Sequence, residues 1–180
     1  TVNDSPVALF TATDECLNVP VCFTDMSTIS SSSINGWAWD FDDGTPIDVN
    51  QNPCHNFATS GIFSVTLAVS SVEGCVDSVT LPVNVYALPS LDAGLDTAIC
   101  DGDSLILIAN NPDAGTLSWN NGVADGVAFA PTIQGYYTVQ SQSTMGCISS
   151  DSLLVTINNI PSVDLGPDIN SCDAFVTLDA

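Results

Sequence analysis

Apolar and polar residues alternate in short runs along this chain, and nowhere do apolar positions recur at helical spacing. Phe63, Val65, Leu67 and Val69 fall on one face of an extended run. Val79, Leu81, Val83 and Val85 repeat the pattern, as do Leu153, Val155 and Ile157, and in Trp37-Ala38-Trp39-Asp40-Phe41 the aromatics share a face. A period of two with one apolar side is what a strand half-buried against a core requires. Between the runs stand Asn35-Gly36, Asp43-Gly44, Asp101-Gly102, Asn121-Gly122 and Asp125-Gly126, which supply positive-φ turn positions. Many short strands divided by such turns predict an all-β fold of sandwiches.

The pattern repeats. Pro89-Ser90-Leu91-Asp92-Ala93-Gly94-Leu95-Asp96, followed by Cys100-Asp101, recurs 72 residues later as Pro161-Ser162-Val163-Asp164-Leu165-Gly166-Pro167-Asp168, followed by Cys172-Asp173. Both copies run on into apolar stretches, Leu105 to Ala109 and Phe175 to Ala180. A fixed offset over Pro, Ser, Asp, Gly, Asp and Cys indicates tandem domains. The expected division is a first domain over 1–87, a second over 88–159, and the first strand of a third over 160–180. The start, TVNDSPVALF, lacks the basic region of a signal peptide, so the chain reads as an internal piece of something longer.

Composition narrows the setting. The 180 residues include no lysine or arginine and 21 acidic residues, for a formal charge of −21, yet 45% are hydrophobic, enough to build cores. Phosphate binding draws its energy from basic side chains, so nucleic acid and anionic membrane surfaces are excluded as partners. No apolar run approaches the ~20 residues needed to span a bilayer, which excludes membrane insertion by a helix. Schiff-base, phosphoryl and oxyanion chemistry lose their usual cationic groups, and His55 is the only histidine. An enzyme is not expected. A chain without basic residues offers trypsin-like proteases no target, which suits an exposed, protease-rich place.

Seven cysteines stand far apart, without a CxxC pair, which favours disulfides over zinc and an extracytoplasmic location. Cys100 precedes the second domain's first core strand and Cys147 its last, so that pair is expected to clamp the module. Cys16 and Cys75 hold matching positions in the first domain, which leaves Cys22 to pair with Cys54. Four cysteines allow three connectivities, so the first-domain pairing stays open on sequence grounds. Cys172 is expected to find its partner beyond residue 180.

Residues 5–87 resemble a PKD (polycystic kidney disease) domain, an immunoglobulin-like β-sandwich. The resemblance rests on Trp39-Asp40-Phe41-Asp42-Asp43-Gly44, Asn52-Pro53-Cys54-His55-Asn56-Phe57 and Gly61-Ile62-Phe63-Ser64-Val65-Thr66-Leu67. Asp42 departs from it, standing where the family usually has glycine. Residues 89–158 are similar to the immunoglobulin-like repeats of Bacteroidetes surface proteins, on Asp92-x-Gly94-x-Asp96, Cys100, Trp119, Gly135-Tyr136-Tyr137-Thr138-Val139 and Gly146-Cys147. The resemblance implies tandem immunoglobulin-like β-sandwiches, export by the type IX secretion route and display on the cell surface, as in giant gliding-type adhesins.

Three chemistries are weighed against plainer readings. Asp40, Asp42 and Asp43, with Asp48, and separately Asp92, Asp96, Asp101 and Asp103, offer the oxygen ligands calcium prefers, and calcium is the only cofactor considered. Turn capping is the competing role for each aspartate. Asp-Ser/Thr-aliphatic steps at Ser78, Thr97, Ser104 and Ser152 match the pattern of Bacteroidetes O-glycosylation. Trp37, Trp39, Trp119, Tyr136 and Tyr137 could stack on sugars, although sandwiches bury such a tryptophan. The expected function is a structural stalk segment of an exported multidomain adhesin or filament, in gliding or attachment. Its expected partners are neighbouring repeats of the same chain, with surface polysaccharide or self-association as further contacts. The alternatives are an accessory, polysaccharide-contacting module of a secreted hydrolase and a calcium-dependent surface-layer or filament subunit.

Overall fold

The computed structural model describes residues 4–161, so the third unit expected over 160–180, with Cys172, lies almost wholly outside them. Strands make up all the regular structure among the described residues, and two separate hydrophobic cores organise them. The fold is all-β and immunoglobulin-like.

In the first sandwich, β2 (Glu15–Cys16), β7 (Val76–Tyr86), β6 (Gly61–Ser71) and β4 (Ile34–Asp40) form one sheet in that order. The facing sheet is β1 (Phe10–Ala12), β3 (Val21–Asp25) and β5 (Cys54–His55). Val65, Leu67 and Val69 of β6 point inward, as their alternation predicts, and meet Trp39, Phe23 and Phe10. Trp39 is fully buried at 0% exposure, with ring centroids 5.1 Å from Phe10 and 5.3 Å from Phe23. Its indole Nε1 donates to the Asn50 carbonyl at 2.9 Å, which removes the penalty of burying that polar group.

The second sandwich repeats the plan. One sheet runs β10 (Thr116–Trp119), β12 (Gly135–Gln142), β13 (Ile148–Asn158) and β8 (Thr97–Cys100), against a small sheet of β9 (Leu105–Ile106) and β11 (Ala128–Phe129). Trp119, Tyr137, Val139, Leu153 and Val155 fill this core.

Both sandwiches open with a strand that changes sheets. β1 pairs antiparallel with β3, then the chain crosses over and β2 runs parallel to the end of β7, with Cys16 opposite Tyr86. In the second unit Asp92 bridges to Asn110, then the chain crosses and β8 runs parallel to the end of β13, with Cys100 opposite Asn158. Aspartates hold each crossing at corresponding places. Asp14 Oδ1 accepts from Asn84 N at 2.9 Å, and Asp96 Oδ1 accepts from Leu154 N at 2.8 Å. At the opposite end of the last strand, Asp77 accepts from Ala8 N and Asp151 from Ala93 N, both at 2.8 Å. Four carboxylates thereby satisfy backbone donors that the sheet change leaves without a ladder partner.

Candidate functional site

The joint between the sandwiches is short and tied on both sides. β7 ends at Tyr86, whose carbonyl accepts from Leu17 N at 2.8 Å. Only Ala87 and Leu88 separate it from Pro89, whose carbonyl already accepts from Ser149 Oγ of β13 at 2.6 Å. Ser90 N then donates to Asp113 Oδ2 at 2.6 Å.

Across this joint runs a covalent bond. Cys16, at the end of β2 in the first sandwich, forms a disulfide with Cys147, which immediately precedes β13 of the second, with Cα atoms 5.6 Å apart. Cys147 is fully buried at 1% exposure. It is presented by a tight turn in which Gly146 N donates to Ser143 O at 3.0 Å, Ser143 N to Cys147 O at 2.9 Å, and Cys147 N to Ser143 Oγ at 3.1 Å. Gly146 takes φ +88°, a conformation that favours glycine. A second disulfide, Cys22–Cys54, links register partners of β3 and β5 inside the first sandwich.

The structure therefore corrects two expected pairings, Cys16 with Cys75 and Cys100 with Cys147. Cys75 precedes β7, whereas Cys16 lies beside Tyr86 at its far end. An 11-residue strand separates them by about 33 Å, far beyond the roughly 7 Å that a disulfide spans. Likewise Cys147 precedes β13 and Cys100 pairs with Asn158 at its end, again across an 11-residue strand. Among the described residues Cys75, half-buried, and Cys100, exposed, are free thiols. The signal was present in the sequence. A cysteine on the sheet-changing strand, β2 or β8, lies beside the end of its sandwich's last strand, and one in the last hairpin lies at that strand's start.

The aspartates singled out for calcium are spread over separate turns. Asp40 accepts from Asp42 N at 3.0 Å, Asp42 from Ser64 N at 3.1 Å, and Asp48 from Asn50 N at 2.8 Å. Asp92 accepts from Gly94 N at 2.8 Å, Asp96 serves the sheet crossing, and Asp101 and Asp103 are exposed beside Cys100. Among the described residues no group of three or more His, Cys, Asp or Glu side chains converges as a metal site. Asp14, Asp25, Asp77, Asp125 and Asp151 carry structural roles that the sequence reading did not assign. Asp125 accepts from both Ala109 N and Trp119 Nε1, at 2.9 Å each.

His55 is used in packing. Its ring stacks on Phe41 at 4.0 Å, meets Phe57 edge-on at 4.7 Å, and its Nε2 lies 2.7 Å from Asp43 Oδ2. Burial pushes the Asp43 carboxyl up, but hydrogen bonds from Thr45 and His55 together hold it below the usual range. Asp25 behaves the same way, with burial outweighed by donors from Ser27, Trp37 and Gln51. Asp14 is held low chiefly by Asn84 N, and Asp151 by Ala93 N. Of the aromatics, Trp39, Trp119 and Tyr137 are core residues, Trp37 is half-buried, and Tyr136 is 66% exposed. Ser78, Ser104 and Ser152 are exposed and Thr97 is half-buried.

Residues 3–85 match the family model described as PKD domain. Among solved structures, the PKD1 domain of the Vibrio cholerae metalloprotease PrtV is 29% identical with a TM-score of 0.43, over 46% of this chain and 98% of that one. The PKD1 domain of Vibrio anguillarum Epp is 24% identical with a TM-score of 0.45, over 48% of this chain and 99% of that one. A carbohydrate-binding-module structure of the β-sandwich superfamily is 21% identical with a TM-score of 0.49, over 79% of this chain and 56% of that one. No helix among the described residues is long and apolar enough to cross a membrane.

Proposed function

We propose that this chain is a load-bearing spacer of a long, exported, multidomain surface protein, an adhesin or filament acting in attachment or gliding. The observation that carries the reading is the Cys16–Cys147 bond. A disulfide within one sandwich stabilises that sandwich; one between two sandwiches fixes how they sit and carries tension past both. The two-residue connection at Ala87-Leu88 and the Ser149–Pro89 hydrogen bond act in the same sense. Disulfides require an oxidising compartment, which supports an extracellular, cell-surface place. The surface without lysine or arginine supports survival among proteases.

In this reading the chain's partners are the neighbouring domains of its parent, and ligand capture belongs elsewhere on that parent. Glycans at Ser78, Ser104 or Ser152 would sit on exposed strand edges and turns without disturbing either core. The test is electron cryo-microscopy of the parent sheared from cells. A thin stalk of successive beads supports the spacer reading. A compact particle with this segment against a catalytic domain overturns it in favour of the accessory-module reading.

A further inference from the structure

The Cys16–Cys147 bond has two halves, and each half occurs again on the other sandwich without a partner among the described residues. The half supplied by the second sandwich is the Ser143–Cys147 turn. The first sandwich carries its copy at Ser71-Val72-Glu73-Gly74-Cys75. There Gly74 N donates to Ser71 O at 2.9 Å, Ser71 N to Cys75 O at 2.9 Å, and Cys75 N to Ser71 Oγ at 3.2 Å. Gly74 takes φ +84°, against +88° for Gly146. The half supplied by the first sandwich is a cysteine on the sheet-changing strand, parallel to the end of the last strand. The second sandwich has Cys100 on β8 in that place.

Register makes the second comparison quantitative. Asp14 and Asp96 hold corresponding positions, so Cys100 stands two residues beyond the position of Cys16. Two residues along a strand return to the same side. The free half-bridges also face the correct ways. Cys75 lies at the start of β7, the end away from the joint, and Cys100 lies at the end of β13, also away from it.

We infer that Cys75 and Cys100 are the segment's connections to its neighbours. Cys75 bonds a sheet-changing-strand cysteine of a preceding sandwich, and Cys100 bonds a last-hairpin cysteine of a following one, so that disulfides run from domain to domain along the stalk. Cys172 repeats Cys100 in the sequence at the 72-residue offset. This rests on the spacer reading and adds to it a covalent ladder. For each bond one thiolate attacks the disulfide of a small-molecule or oxidoreductase carrier, and the second thiolate displaces the carrier. The protein pair loses two protons and two electrons, and the carrier disulfide is reduced to two thiols.

Two copies of the chain can stand in for neighbouring domains. Both carry Cys172→Ser; one also carries Cys100→Ser and keeps Cys75, while the other carries Cys75→Ser and keeps Cys100 and is labelled with nitrogen-15. The copies are mixed in a glutathione redox buffer and weighed intact without reduction. The ladder predicts mixed dimers exceeding either homodimer by about twentyfold or more, a tenfold bias over the statistical ratio of two, as expected if docking favours one orientation by 1.4 kcal/mol. A statistical distribution, with mixed dimers only twice as abundant as each homodimer, overturns it, as does glutathione capping of both thiols without dimers. Disulfide mapping of the parent from cells is the second arm. Cys75 and Cys100 each joined to a peptide of another sandwich supports the ladder, and both recovered as free thiols sinks it. Failure here leaves the spacer reading intact, because the shape of the parent tests that reading separately.

Discussion

Pulling the chain from its ends should show that the Cys16–Cys147 bond takes the residues between the two cysteines out of the line of force. Tension applied at Thr1 and Ala180 reaches Cys16, crosses the sulfur–sulfur bond and leaves from Cys147. The intervening residues, a sequence separation of 131, cannot lengthen while the bond stands. At ~3.5 Å per extended residue, reduction releases about 450 Å of hidden contour. The double variant Cys16→Ser/Cys147→Ser behaves differently, because the Cys22–Cys54 ring still withholds a separation of 32. It should release about 350 Å without reductant. In the oxidised wild type only the flanking chain can extend, so β1 and β13 are the strands that tension peels. Single-molecule force spectroscopy under oxidising and then reducing conditions reads these lengths directly. Oxidised wild-type protein extending by the full contour of both sandwiches would refute the reasoning.

Three further outcomes follow from particular residues. Trp39→Ala empties the fully buried centre of the first core and orphans the Asn50 carbonyl; denaturant melts should show a loss of about 3–5 kcal/mol. Asp42 sits at φ +60° and accepts from Ser64 N. Asp42→Gly relieves the backbone as it loses the hydrogen bond and should stay within about 1 kcal/mol of wild type, whereas Asp42→Ala loses the bond without relief and should cost about 1–2 kcal/mol. Equal stability of the two variants would contradict the positive-φ account. Asp151 has a folded pKa below its unfolded value of about 3.9, so its contribution is present above that value and disappears as pH falls through the folded one. The melting-temperature gap between wild type and Asp151→Asn should be present at pH 7 and close below about pH 4; a gap unchanged at pH 2 would reverse the assigned sign.

Much of the fold was legible because strand alternation leaves a direct trace in sequence. Phe63 to Val69 and Val79 to Val85 became β6 and β7 with the expected faces inward, and Trp39 went to the core as a sandwich tryptophan should. The aspartates were harder to assign. A carboxylate that caps a turn, ligates a metal or holds a sheet crossing looks the same in one dimension, and Asp14 and Asp96 differ only in what β7 and β13 bring opposite them. Cysteine connectivity failed for a related reason. Matching positions in two repeats suggest partners within each repeat, but the ends of an 11-residue strand are too far apart to bond. Cysteines at opposite ends of tandem units meet across the joint.

The most direct test of the covalent joint is the disulfide map of the oxidised protein. Trypsin finds no site in a chain without lysine or arginine, and no aspartate separates Cys16 from Cys22 or Cys54 from Cys75, so the digest combines a protease that cleaves at aspartate with one that cleaves after leucine and phenylalanine, which cuts at Leu17 and Phe57, without reduction and followed by mass spectrometry. The structure predicts a peptide containing Cys16 bonded to one containing Cys147, beside a Cys22–Cys54 pair. Recovery of Cys16 bonded to Cys75 and of Cys100 bonded to Cys147 would contradict it, and would return each sandwich to being a clamp on itself.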